Sequence, residues 1–114
     1  MPLSVGASSK VIMAYADKAF QDEVFTSESW PEAMSVRSFK SQLQKVKEEG
    51  YALSVEEREA GTAAISVPIF DRKGTFVAAL AVSGPVSRMS RKRMQGFVPR
   101  LLEAAEKMGR RLKR

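Results

Sequence analysis

The sequence predicts an α+β fold in which an antiparallel sheet is flanked by helices, and three patterns carry that expectation. Apolar residues recur every three or four positions over 38–49 and 90–112. They alternate every second position just after Gly50 and again over 63–70. Asp71-Arg72-Lys73-Gly74 supplies a short polar connection between two strand-like runs. The order helices, strand, strand pair, terminal helix is that of an α+β sandwich with at least three strands.

Taken in order, Ser8–Ala16 reads as a short helix capped by Ser8, with Val11, Met13, Ala14 and Tyr15 turned partly inward. A second short helix is expected over Lys18–Phe25. Thr26–Val36 has little periodicity and contains Pro31, so a loop is expected there. From Ser38 to Glu49 the spacing of Phe39, Leu43 and Val46 predicts a helix that Gly50 stops. Tyr51, Leu53 and Val55 then alternate with Ala52, Ser54 and Glu56 as in a strand. Ala63–Phe70 and Thr75–Ser83 are expected to pair antiparallel, with Ile65, Val67 and Ile69 on one face; the unbroken apolar run Val77–Val82 suggests a central strand covered on both faces. After Gly84-Pro85, Ser90 caps a last helix whose inner residues are Met94, Phe97, Val98, Leu101, Leu102, Ala105, Met108 and Leu112. Pro99 implies a kink or a fresh start within it.

The 114 residues are expected to form one domain, 1–114, with an ordinary globular composition of 44% hydrophobic and 28% charged residues. No Cys and no His occur, which removes thiolate chemistry, Cys-bound metal and the commonest neutral-pH base. Serines therefore lack an activating histidine, and Lys10 beside Ser8 and Ser9 is weak evidence for a nucleophile. Glu56, Glu57 and Glu59 read as a solvated rim or as partners for nearby lysines rather than a metal site. No Walker or G-x-G-x-x-G sequence is present. An enzyme is not expected, nor a cofactor or metal. No apolar run approaches a membrane span and no secretory signal is evident, so no membrane association and a cytoplasmic location are expected.

The net charge of +6 is local. Residues 88–114 hold ten Lys or Arg and two Glu, a balance of +8, so residues 1–87 hold nine basic and eleven acidic residues, a balance of −2. Without an aromatic platform or a zinc-finger pattern, this basic helix is more simply read as a solvated face than as a nucleic-acid footprint.

Several anchors together resemble the effector-binding domain of the IclR family of bacterial transcriptional regulators. They are Pro2-Leu3 with Lys10, Gly50-Tyr51-Ala52, Glu56-Glu57, Gly61, Pro68-Ile69-Phe70-Asp71, Gly74, Ala79-Leu80 and Val82-Ser83-Gly84-Pro85-Val86-Ser87-Arg88. The likeness covers nearly the whole chain and is most specific over Gly50–Arg88. It implies the later part of a GAF-like sensory domain that assembles as a homo-oligomer. In the family a winged helix-turn-helix domain contacts DNA, and none is expected within these 114 residues. The resemblance further implies a small organic acid or aromatic metabolite as effector. It places Ala7 and Ser8 at the backbone-donor positions near a helix start, Ser54 at an Asp position, Ala64 at a polar strand position, and Ala81 and Ser83 at two strand serines. Ser4 stands at a frequent histidine and Ser9 at a glycine. The alanines favour a less polar ligand or a pocket that has lost its sensory role, and a ligand-independent structural or protein-interaction module is the alternative reading.

Overall fold

The computed structural model describes residues 5–57 and 60–112; Pro2, Leu3, Ser4 and Glu59 lie outside the described residues. Its elements are α1 (Ala7–Tyr15), α2 (Lys18–Phe25), α3 (Val36–Glu49), β1 (Ala52–Val55), β2 (Thr62–Phe70), β3 (Phe76–Pro85), a 3-10 turn (Val86–Arg88) and α4 (Arg91–Arg111). The sheet is antiparallel in the order β1-β2-β3.

Local chemistry explains most boundaries. Asp17 and Ser90 accept the Phe20 and Arg93 N–H groups and cap α2 and α4. Ser35, rather than a residue nearer Ser38, caps α3 and starts it at Val36. Gly50, at φ 82°, closes α3 in the left-handed region. The β2–β3 connection is drawn tight by Asp71 Oδ1, which accepts the Lys73 and Thr75 N–H groups at 2.9 and 3.0 Å. The loop between α2 and α3 is pinned by Trp30, whose indole donates to the Met34 carbonyl at 2.9 Å and whose ring meets Phe25 and Phe39 edge-on.

Alternation along β2 divides the interior in two. Ala63, Ile65, Val67 and Ile69 face α4 and pack with Met94, Leu101 and Ala105. On the opposite face α1 and α3 pack through Val11, Met13, Phe39, Leu43 and Val46, with Ala52 of β1 beneath them. The two faces differ in bulk. Toward α1 the three strands present Ala52, Ser54, Ala64, Ser66, Ala81 and Ser83; on the other side, Leu53, Ile65, Val67, Leu80 and Val82 fall in register.

Four expectations need correction. Ser8 does not cap α1: the N-cap is Gly6, without a side-chain cap, and Ser8 lies inside the first turn with its hydroxyl engaged elsewhere. β3 is an edge strand among the described residues, because β2 occupies the centre, and Ala78, Ala81, Val82 and Ser83 are exposed. Leu102, Met108 and Leu112 are exposed; the inner stripe of α4 runs Met94, Leu101, Ala105, Gly109. A glycine can hold that last inward position because α4 crosses the end of β2 so closely that a Cβ on Gly109 would fall 1.9 Å from the Phe70 carbonyl oxygen. Finally, no fresh start occurs at Pro99: α4 continues through it as one helical segment. Pro99 and Gln95 are both exposed, so water can serve the Gln95 carbonyl that loses its helical donor.

Candidate effector pocket

The small-residue face of the sheet leaves room beneath the start of α1. There a cavity of about 610 Å³ is lined by Ala7 and Ser8 of α1, Ser54 of β1, Thr62, Ala63 and Ala64 of β2, and Ala81 and Ser83 of β3. Strand register organises its floor. Ser54 pairs with Ala64 and Ala64 with Ser83, so three of these residues form one row across the sheet; Ser66 and Ala81 belong to the adjacent row. All six residues singled out from the sequence, Ala7, Ser8, Ser54, Ala64, Ala81 and Ser83, are thus brought to one cavity. Thr62 and Ala63 join them. Thr62 was legible only as the residue two before Ala64 on the same strand face, and nothing in the pattern marked Ala63.

The entry of α1 is built around Gly6. Its φ of 93° with ψ of 155° is a conformation essentially reserved for glycine, and it turns the chain sharply into the helix. In the described structure the first intrahelical bond runs from Lys10 N–H to Gly6 C=O, at 3.2 Å. The Ala7 and Ser8 N–H groups are therefore among those that helix geometry leaves without an intrahelical acceptor. They sit at the positive end of the α1 dipole, at the cavity. The Ser8 hydroxyl is held 3.3 Å from that of fully buried Ser66.

Behind this entry lies an ion pair. Lys10 Nζ is 2.5 Å from Glu57 Oε2 and donates to the Leu53 carbonyl at 3.4 Å, while Glu57 Oε1 accepts the Gly6 N–H at 3.2 Å. Glu57 thus ties the segment after β1 to the start of α1. Glu56 accepts the Gly61 N–H at 3.0 Å, and Glu59 lies outside the described residues. Among the described residues no group of three or more Asp or Glu side chains is placed to hold a metal. No charged side chain among the described residues lines the cavity. It offers helix N–H groups, four hydroxyls and alanine methyls, a set that solvates a small anion carrying an apolar body and has no base or nucleophile activated for bond breaking.

Comparison with known proteins points the same way. A family model described as bacterial transcriptional regulator IclR, C-terminal, matches residues 1–110. The HTH-type transcriptional regulator KdgR of Escherichia coli strain K12 is 33% identical over 112 residues, covering 94% of this chain and 43% of its own length. The crystal structure of that regulator's C-terminal domain superposes with a TM-score of 0.77 at 33% identity, over 95% of this chain and 69% of that one. A double mutant of the PobR transcription factor inducer-binding domain from Acinetobacter, in complex with 3-hydroxybenzoic acid, shares the fold with a TM-score of 0.85 at 24% identity, over 98% of this chain and 67% of that one. The chain spans less than half the length of the curated regulator KdgR that it matches.

Proposed function

Because the chain belongs to the IclR family of bacterial transcriptional regulators, matching its C-terminal region, we propose that it is the effector-binding and oligomerisation portion of such a regulator and senses a small organic or aromatic acid. The family consists of regulators rather than enzymes. The observation that carries the proposal is the convergence of Ala7, Ser8, Ser54, Ala64, Ala81 and Ser83 on one cavity at the N-terminus of α1.

In this reading the effector carboxylate takes the Ala7 and Ser8 N–H groups at the positive end of α1, with the Ser83 hydroxyl as a further donor, the Ser8 hydroxyl being given to Ser66. Ala64 and Ala81 make the opposing wall methyl-lined, which favours an effector whose carboxylate is its main polar group and whose remainder is an aliphatic or aromatic body. Bound effector bridges the start of α1 to the Ala81–Ser83 part of β3, two elements that also meet at their other ends, where the Tyr15 and Phe76 rings stack at 5.5 Å. It thereby biases the populations of conformations or assemblies that a DNA-binding winged helix-turn-helix domain reads. We read the arrangement as the later part of a GAF-like sensory domain. Assembly as a homo-oligomer is supported by the β3 edge, which among the described residues has no neighbour and carries no charged residue over Phe76–Pro85.

Titration calorimetry with small carboxylates and hydroxybenzoates, 3-hydroxybenzoic acid among them, tests the sensing. Saturable binding of one of them supports the reading. A folded protein that binds none of them contradicts it and favours the ligand-independent interaction module. Sedimentation of the same samples tests the assembly.

A further inference from the structure

Residues 88–102 contain five basic residues and no acidic one. Among the described residues, none of the five, Arg88, Arg91, Lys92, Arg93 and Arg100, takes part in an ion pair. The second half of α4 behaves differently: Lys107 meets Glu103 at 3.4 Å and Arg110 meets Glu106 at 3.9 Å, so its outer charges are partly answered within the helix. Other basic side chains, Arg111 of α4 and Arg37 and Lys40 of α3 among them, also lack an ion pair among the described residues, but the run 88–102 is set apart by holding five basic residues with no acidic one between them.

Two choices there oppose helix stability. Arg91, Lys92 and Arg93 fill the first turn, where the helix dipole favours anions, and no acidic residue offsets them. Gly96 occupies a mid-helix position although a Cβ on it would meet nothing within 4 Å, so packing within this chain does not require a glycine. Both features fall on one surface. Lys92, Arg93, Gly96 and Arg100, with Ser90 and Phe97, line a shallow cavity of about 530 Å³. Arg93 and Arg100 are two turns apart on the same outward face, about 10 Å along the axis.

We propose that this face of α4 docks on the phosphate backbone of duplex DNA, with Lys92, Arg93 and Arg100 as the phosphate contacts and Gly96 as the bare stretch that lets the backbone approach. Charge complementarity decides the partner: the array is all positive, without countercharge, and spread along one helix face, as a row of phosphates requires. A lipid surface fits less well, because the apolar stripe Met94, Leu101 and Ala105 is turned inward onto β2, and the exposed apolar residues Leu102, Met108 and Leu112 come after Arg100, outside the basic run. A protein partner would lack an anchor, since Phe97 is the sole aromatic of the patch and is half-buried. The inference rests on membership of a regulator family for the presence of DNA, and not on the effector reading. Contacts of this kind position a domain on DNA without reading its sequence.

The test is fluorescence anisotropy of the 114-residue protein with a labelled mixed-sequence duplex of about 20 base pairs, titrated between about 50 and 200 mM salt. The protein as it stands is compared with Arg93→Glu/Arg100→Glu and with a control of equal charge change on α3, Arg37→Glu/Lys40→Glu. Three phosphate contacts predict a log–log salt slope of about −3, and losing two of them lowers the slope by about two. The α4 pair is expected to lose tenfold or more in affinity at the lower salt, and the α3 pair less than threefold. Arg93→Glu places a carboxylate where the helix dipole welcomes it, so folding is preserved; Arg93→Gln/Arg100→Gln gives the same readout without charge reversal. Equal losses for both pairs, absence of salt-dependent binding, or preferential binding to vesicles of phosphatidylserine and phosphatidylcholine would overturn the proposal. Effector binding measured on the same samples separates this failure from failure of the sensory reading.

Discussion

Glu57 holds the start of α1 with both oxygens: Oε2 meets Lys10 Nζ at 2.5 Å and Oε1 accepts the Gly6 N–H at 3.2 Å. The Lys10 side chain is 10% exposed and that of Glu57 is 30% exposed, against 35–75% for the other ion pairs among the described residues. Removing one partner strands the other. Glu57→Ala is expected to cost about 2–3 kcal/mol, the lower end for a buried pair because one member reaches water. Lys10→Met/Glu57→Leu removes both charges and should recover most of that loss. Urea unfolding of the single and double variants checks this, and additive losses would show that the pair is not coupled.

Gly6 matters for a different reason, its backbone. A Cβ at φ 93° and ψ 155° is strained, so Gly6→Ala is expected to destabilise by about 2 kcal/mol. Because relief of that strain moves the Ala7 and Ser8 N–H groups, the same substitution should weaken effector binding. Thermal unfolding and calorimetry on one preparation report the two effects. Unchanged affinity would remove those amides from the account.

The two glycines of α4 should respond in opposite directions. Gly109→Ala drives a Cβ into the Phe70 carbonyl and is expected to cost about 2–3 kcal/mol. Gly96→Ala meets nothing and should stabilise by about 0.5–1 kcal/mol through helix propensity alone. Denaturant midpoints of the two variants decide it. A neutral Gly109→Ala would mean that α4 sits further from β2 than described.

Much of this was written in local pattern. The cadence of Phe39, Leu43 and Val46 with Gly50 behind it gives α3, and Asp71–Gly74 gives the hairpin, because caps and turns are settled within a few residues. What failed depended on neighbours distant in sequence. The apolar run of β3 reads as a central strand, yet the sheet order makes it an edge. Leu102, Met108 and Leu112 fit an inward stripe as well as Gly109 does, and only the closeness of Phe70 decides for the glycine. The cavity was legible through resemblance, which named six positions without saying why they meet. The physical reason is alternation: every second residue on the α1 side of the strands is Ala or Ser around the helix entry, so that side cannot close by packing.

That space is the point on which the account turns, and Ala64 stands at its centre, between Ser54 and Ser83 in one row of the sheet. Calorimetry of the protein and its Ala64→Leu variant against the strongest binder among small carboxylates and hydroxybenzoates tests it most directly. The larger side chain projects into open volume, so the fold should survive with a denaturation midpoint near that of the parent, while affinity falls at least tenfold. An Ala64→Leu protein that binds the same acid with unchanged affinity would place the effector elsewhere and contradict the account.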